Sequence, residues 1–254
     1  MDKNAQLYKQ LYTIRRFETL LLEQFATGVF RGTTHTSLGQ EANAVGVLSH
    51  LMEDDLVVSN HRCHGHFLAY GGDPQALYAE LMGKPSGVCG GVGGSQHLHW
   101  RNFYSSGVQG GTVAMATGMA LAEKHRGSGA VVVDFLGDGT LGEGILYECL
   151  NMASLWALPV LFVLENNHIA QTTPSHMALA GDISARFEAF DIPATQLDTS
   201  DNLEIYPLAG ELIKKIRAEG TPQALVIETA RLGTHSKGDD TRSPEALKAL
   251  WDER

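Results

Sequence analysis

The sequence predicts an α/β protein: a doubly wound, mostly parallel sheet with helices on both faces. Two continuous apolar runs, "AVVVDFL" from 130 and "PVLFVLE" from 159, have the length and composition of strands buried on both sides. A helical stretch separates them, and a third run, "QALVIETA" from 223, follows two further helical stretches. Strand, helix, strand in this order is the signature of parallel crossover units, in which ligands sit beyond the carboxyl ends of the strands.

Taken in order, the chain opens with a helix. Leu7, Leu11, Ile14, Phe17, Leu21 and Phe25 recur at helical spacing and Gly28 ends the pattern, giving an N-terminal helical extension over about 1–30. A second helix is expected over 40–51 and a third over 74–82, with Asp73 as its cap and Pro74 in its first turn. Between them "DLVVSN" reads as a short strand. The segment "GKPSGVCGGVGGSQH" carries glycine at 83, 87, 90, 91, 93 and 94, too many for a helix or a central strand. It is expected as a long, conformationally permissive loop. "TVAMATGMALAEK", 112–124, is apolar or small on nearly every face and reads as a buried helix, followed by a surface turn at Gly127 to Gly129. Later helices are expected over 144–158, 183–190 and 203–217, with an irregular stretch near "SHMALAGD". No repeat, low-complexity tract or linker interrupts the pattern, so 1–254 reads as one domain.

Composition narrows the function. A formal net charge of −10 argues against broad binding to nucleic acid or anionic lipid, both of which need a basic face. Cys63, Cys89 and Cys149 are too few and too scattered for a disulfide framework or a cysteine-rich zinc site, and read as reduced thiols in a cytoplasmic protein. The charged start "MDKNAQLYKQ" lacks the apolar core of a signal peptide, and no stretch approaches the roughly 20 apolar residues that span a bilayer. Neither export nor membrane insertion is expected.

Asp138 and Asn167 supply the functional lead. Both follow the carboxyl ends of expected parallel strands, 29 residues apart, the length of one strand-helix-strand unit, so both can face one crevice. A carboxylate and a carboxamide offer hard oxygen ligands, to which a backbone carbonyl such as that of Ile169 can add a third; magnesium takes a few such oxygens and completes its shell with phosphate and water. Glycines at 137 and 139 let a diphosphate approach the backbone, and the helix start that follows offers amides to an anion.

Beyond those residues, "GDG", an intervening stretch and "NN" resemble the thiamine-diphosphate motif. The surrounding "GEGILYECLNMASLWALPVLFVLENN" resembles the alpha subunit of the E1 component of 2-oxo acid dehydrogenases, the group that includes pyruvate, branched-chain and acetoin enzymes. "FRGTTHTSLGQEA", "NHRCHGHFLAYGGDP", "GGVGGSQHLH" and "NFYSSGVQGG" follow the family's order, so the resemblance covers about 10–243.

The resemblance implies a thiamine-diphosphate-binding fold and a set of site residues. Asp138, Asn167 and the Ile169 carbonyl would bind magnesium, Gly137 and Gly139 would shape the diphosphate pocket, and Arg62 would contact the diphosphate. Gly107 and Gln109 match positions whose backbone faces the aminopyrimidine ring. His35 and His64 match histidines near the substrate entrance, and His235 matches the histidine of a loop that orders over bound cofactor. Glu41 could be a general acid or simply a helix-start carboxylate.

The same resemblance implies a missing half. The pyrimidine-binding domain, with the glutamate that protonates the cofactor ring, would come from a beta-type subunit in an alpha2beta2 heterotetramer, leaving this chain inactive alone. The implied chemistry cleaves a 2-oxo acid or a hydroxyketone and passes the acyl unit to a lipoyl acceptor, such as that of an E2 acyltransferase. Two alternatives remain: the diphosphate-binding half of a split, transketolase-like biosynthetic carboligase, and a non-catalytic subunit that keeps the fold. Intact Asp138, Asn167 and Arg62 weigh against the second. Three departures leave the substrate open: His61 in place of an aromatic residue, Gln109 in place of a small aliphatic, and "GTHS" in place of His-Gly-His-Ser. The chain also ends at Arg254, before a further helical segment of those subunits, as a compact or truncated relative would.

Overall fold

The computed structural model describes residues 2–236 and 240–253. In chain order its strands are β1 (Leu56–Ser59), β2 (His99–Trp100), β3 (Phe103–Ser105), β4 (Val132–Gly137), β5 (Val160–Asn166), β6 (Ile169–Ala170), β7 (Thr173–Pro174), β8 (Ala194–Asp198) and β9 (Gln223–Glu228). Seven of them form one sheet in the order β2-β3-β1-β4-β5-β9-β8, parallel throughout except for β2. β6 and β7 make a separate two-stranded ribbon.

The apolar runs are continuous because both faces of the sheet are covered. Val133, Phe135, Leu161 and Val163 point to one core, shared with α1 (Lys3–Phe25), α2 (Glu41–Leu48), α3 (Cys63–Ala69) and α4 (Pro74–Leu81). Their alternates Val132, Leu136, Phe162 and Leu164 point to a second core, closed by α5 (Gly111–Arg126) and α6 (Gly144–Leu155). After the short α7 (Ser175–Ala178), α8 (Ser184–Glu188) adds Phe187 to that second core, while α9 (Asn202–Glu219) returns to the first. α10 (Pro244–Glu253) lies against the segment after β9, with Trp251 Nε1 donating to the Leu232 carbonyl at 3.2 Å. Asp73 caps α4 by accepting from the Gln75 amide, as its sequence predicts. Among the described residues no helix is long and apolar enough to cross a membrane.

Two polar devices hold the frame. At the amino ends of β1 and β4, buried Asp55 accepts from both Nη atoms of Arg217, at 3.0 and 2.6 Å, and from the amides of Val131 and Met52. The second corrects the expectation of a permissive glycine loop. Buried Glu80 on α4 accepts four backbone amides, those of Cys89 and Gly91 on one oxygen and Gly93 and Gly94 on the other, at 2.7–3.0 Å. The glycines let the chain wrap one carboxylate: Gly90, Gly91 and Gly94 have positive φ, and a Cβ at Gly91 would lie 2.5 Å from the backbone of Gly83.

Candidate active site

From β1 the chain moves outward to β3 on one side, then crosses to place β4 on the other side of β1. The carboxyl ends of β1 and β4 therefore diverge, opening a crevice where the winding direction changes. A cavity of about 380 Å³ occupies it. His61 and Arg62 arrive after β1, Gly107 and Gln109 after β3, Gly137, Asp138 and Gly139 after β4, and Asn167 and Ile169 after β5. His35 comes from the loop between α1 and α2, and His235 from the segment after β9.

Asp138 is buried at the start of a tight turn, Asp138–Gly142, and one of its oxygens accepts from the Ser175 hydroxyl. Asn167 Oδ1 accepts a 3.3 Å bond from the Ile169 amide, which orients the carboxamide at the mouth of β5. Pro174, opposite Ile169 in the ribbon, brings no amide to it. His168 and Gln171 hold positive φ in this loop, a backbone strain of the kind found where a loop must present particular groups. An ideal Cβ on Gly137 would meet no heavy atom within 4 Å, so the strand end faces open space that a ligand can fill. Carboxylate, carboxamide and carbonyl oxygens beside that space suit a hard divalent cation with an anion next to it.

Among the described residues that line the cavity, Arg62 is the one arginine or lysine. Its Nη1 donates to the Thr36 carbonyl at 2.8 Å, and Nη2 donates to His235 Nδ1 at 3.1 Å. Burial, then the nearby charge of Arg231, lower its pKa to about 9, against the opposing pull of Glu165, Glu18 and Asp138. A guanidinium in that setting is under-compensated, and a bound anion would restore the balance. Because arginine can only donate, His235 Nδ1 is the accepting atom of that contact.

One expected site residue lies elsewhere. His64 is fully buried on α3, outside the cavity lining, between Glu18 Oε2 at 3.3 Å and the Ser95 hydroxyl at 2.9 Å. The expectation of a substrate-entrance histidine is corrected to a buried link, since Glu18 also accepts the Ser37 amide and hydroxyl. Glu41 bonds Arg15 at 2.5 Å and the Gly39 amide at 2.9 Å and does not line the cavity, so its helix-start reading holds. Gln109 lines the cavity, and its side chain is engaged with His61 and Thr140.

Three residues escaped the sequence reading. Glu165 lines the cavity and accepts from Asn43 at 3.0 Å; a charged residue closing an apolar run directly before Asn-Asn was the available signal. Ser175 and Thr140 carried none, because a lone hydroxyl reads as a turn or cap in any loop. Cys63 is buried and its thiol is pushed up to about 12 by that burial, so it is inert as a nucleophile.

Residues 9–254 match the family model described as dehydrogenase E1 component. The alpha subunit of acetoin:2,6-dichlorophenolindophenol oxidoreductase from Cupriavidus necator is 39% identical over 245 residues, covering 94% of this chain and 74% of that one. The alpha subunit of the pyruvate dehydrogenase E1 component from Zymomonas mobilis is 38% identical over 246 residues, covering 95% and 70%. Among solved structures, transketolase from Campylobacter jejuni superposes with a TM-score of 0.69 at 21% identity, over 90% of this chain and 38% of that one. Transketolase from Pichia stipitis gives 0.70 at 16%, over 96% and 43%. These likenesses establish the fold, and the chain spans less than half of each transketolase.

Proposed function

The chain belongs to the dehydrogenase E1 component family, and from that premise we propose that it is the alpha subunit of a thiamine-diphosphate-dependent 2-oxo acid or acetoin dehydrogenase. The observation that carries the reading is the convergence of Asp138, Asn167, Ile169 and under-compensated Arg62 on one cavity at the switch point of the sheet. The hard oxygens of Asp138, Asn167 and the Ile169 carbonyl would hold magnesium, and Arg62 would hold the diphosphate. Gly137 and Gly139 carry no side chain that would obstruct a diphosphate lying beside them. When bound, thiamine diphosphate supplies the carbon nucleophile and the electron sink needed to break the bond beside a ketone carbon.

The chain's own residues bind, orient and exclude water. Ser175 fixes the Asp138 carboxylate by occupying one oxygen. His235, held against Arg62 through Nδ1, sets one wall of the cavity beside the bound substrate. His35, edge-on to His235 at 4.7 Å between ring centres, shares that side of the cavity. Gly107, in the loop after β3, would present its backbone to the aminopyrimidine ring. A beta-type subunit closes the cavity and completes a heterotetramer, and a lipoyl group of an acyltransferase accepts the acyl unit.

Calorimetric titration of thiamine diphosphate with magnesium, into this chain alone and mixed with its beta-type partner, tests the reading. Binding should appear or tighten with the partner and vanish in Asp138→Ala. Absence of binding with a verified partner would remove the catalytic assignment.

A further inference from the structure

His61 and Gln109, two of the three departures from the resembled pattern, are 48 positions apart and meet in the cavity. Gln109 Nε2 lies 2.5 Å from His61 Nδ1, and Gln109 Oε1 accepts the Thr140 hydroxyl at 2.6 Å. Thr140 is fully buried in the turn that carries Asp138. A carboxamide has one accepting end and one donating end. With the accepting end taken by Thr140, the donating end faces the imidazole, so Nδ1 accepts and the ring proton sits on Nε2.

That Nε2 is buried and has no hydrogen-bond partner among the described residues. A buried donor left unmade costs free energy that a bound acceptor would recover. Burial, with Arg62, His35, His235 and Arg231 around it, drives the His61 pKa down to about 2, so the ring is a neutral donor across the working pH range. His35, His61 and His235 each bring a ring nitrogen within 4.8 Å of the others, a spacing that would also suit a metal. Two of those rings, however, spend Nδ1 as an acceptor from Gln109 and Arg62, and the Arg62 guanidinium repels a cation. The arrangement suits an electron-rich oxygen.

We infer that Gln109 is a positioning residue: bridging Thr140 and His61, it holds the His61 imidazole as an Nε2–H donor to an oxygen of the ligand bound in the cavity. The identity of that ligand rests on the function proposed above, and the oxygen belongs either to the diphosphate or to the ketone substrate.

The test uses the full chain with its beta-type partner and the variants Gln109→Leu, Gln109→Glu and Thr140→Val, each checked for an unchanged melting temperature. Imidazole nitrogen spectra of histidine-labelled protein, with His61→Phe assigning the signal, report the tautomer directly. Wild type should show protonated Nε2. Gln109→Glu keeps the shape but presents an acceptor to Nδ1, so it should move the proton to Nδ1, which a merely space-filling role would not do. Calorimetry with thiamine diphosphate and magnesium, and KM and kcat on acetoin and on pyruvate, locate the oxygen. A loss of about tenfold in cofactor affinity, the equivalent of one hydrogen bond, assigns it to the diphosphate. A similar rise in KM at unchanged cofactor affinity assigns it to the substrate. Thr140→Val should move the same readout in the same direction, less far. An unchanged His61 tautomer in Gln109→Glu, or unchanged affinity and KM in both Gln109 variants, overturns the inference. Should wild type itself bind no cofactor, the functional reading falls while the tautomer measurement still decides the bridge.

Discussion

Asp134 sits in the middle of β4, opposite Val58 and Phe162, with both side-chain oxygens buried and without hydrogen-bond partners among the described residues. Burial raises its pKa well above the usual carboxylate value, so the folded chain holds a proton there that the unfolded chain releases. Its effect on stability follows in sign: the unfolded state binds fewer protons above the ordinary carboxylate pKa, so stability falls as pH rises from about 4 toward the raised value, by up to about 1.4 kcal/mol per pH unit. Asp134→Asn should flatten that dependence and melt higher than wild type at pH 8 in a pH series of thermal scans. Arg62→Lys keeps a charge but loses the planar fork that serves Thr36 and His235 together, and should weaken cofactor binding at least about tenfold in the same calorimetric assay. Residue types at this scale were only partly legible. Asp138, Asn167 and Arg62 stand at strand ends that pattern alone locates, whereas His61 and His64 are two similar residues in "HRCH" whose fates diverge because α3 starts at Cys63 and turns His64 into the core.

At the scale of elements, legibility followed burial. β4, β5 and β9 are covered on both faces and read as unbroken apolar runs. β8 is an edge strand with no buried residue, "ATQLD", and gives no such run. The α3 sequence "CHGHFLA" is helical and fully buried, yet its histidines and glycine mimic loop composition because their polar atoms are satisfied by Glu18, Ser59 and Ser95. The glycine-rich loop reads as permissive from sequence because its organiser, Glu80, lies nine or more residues upstream of every amide it binds. Glu80→Gln leaves at most one acceptor oxygen for four amides, so it should destabilise by about 2–4 kcal/mol in denaturant titration. The loop's amides at 89, 91, 93 and 94 should exchange slowly with deuterium in wild type and rapidly in the variant.

Across the whole molecule, one sheet separates two tasks. Loops at the carboxyl ends of β1, β3, β4 and β5 bring the cavity together, while Asp55 and Arg217 clasp the amino ends of β1 and β4. Asp55→Asn should cost about 2–3 kcal/mol, lowering the melting temperature by about 2–4 °C for each kcal/mol, with cofactor affinity unchanged in calorimetry. A random collection of substitutions would therefore sort into two phenotypes with little overlap. Lesions near the Asp55 clasp would be heat-sensitive yet bind ligand normally when cold, and lesions around Asp138 would survive heating but be blind to cofactor. Heat tolerance and ligand preference can then be selected one after the other, each screened without undoing the other.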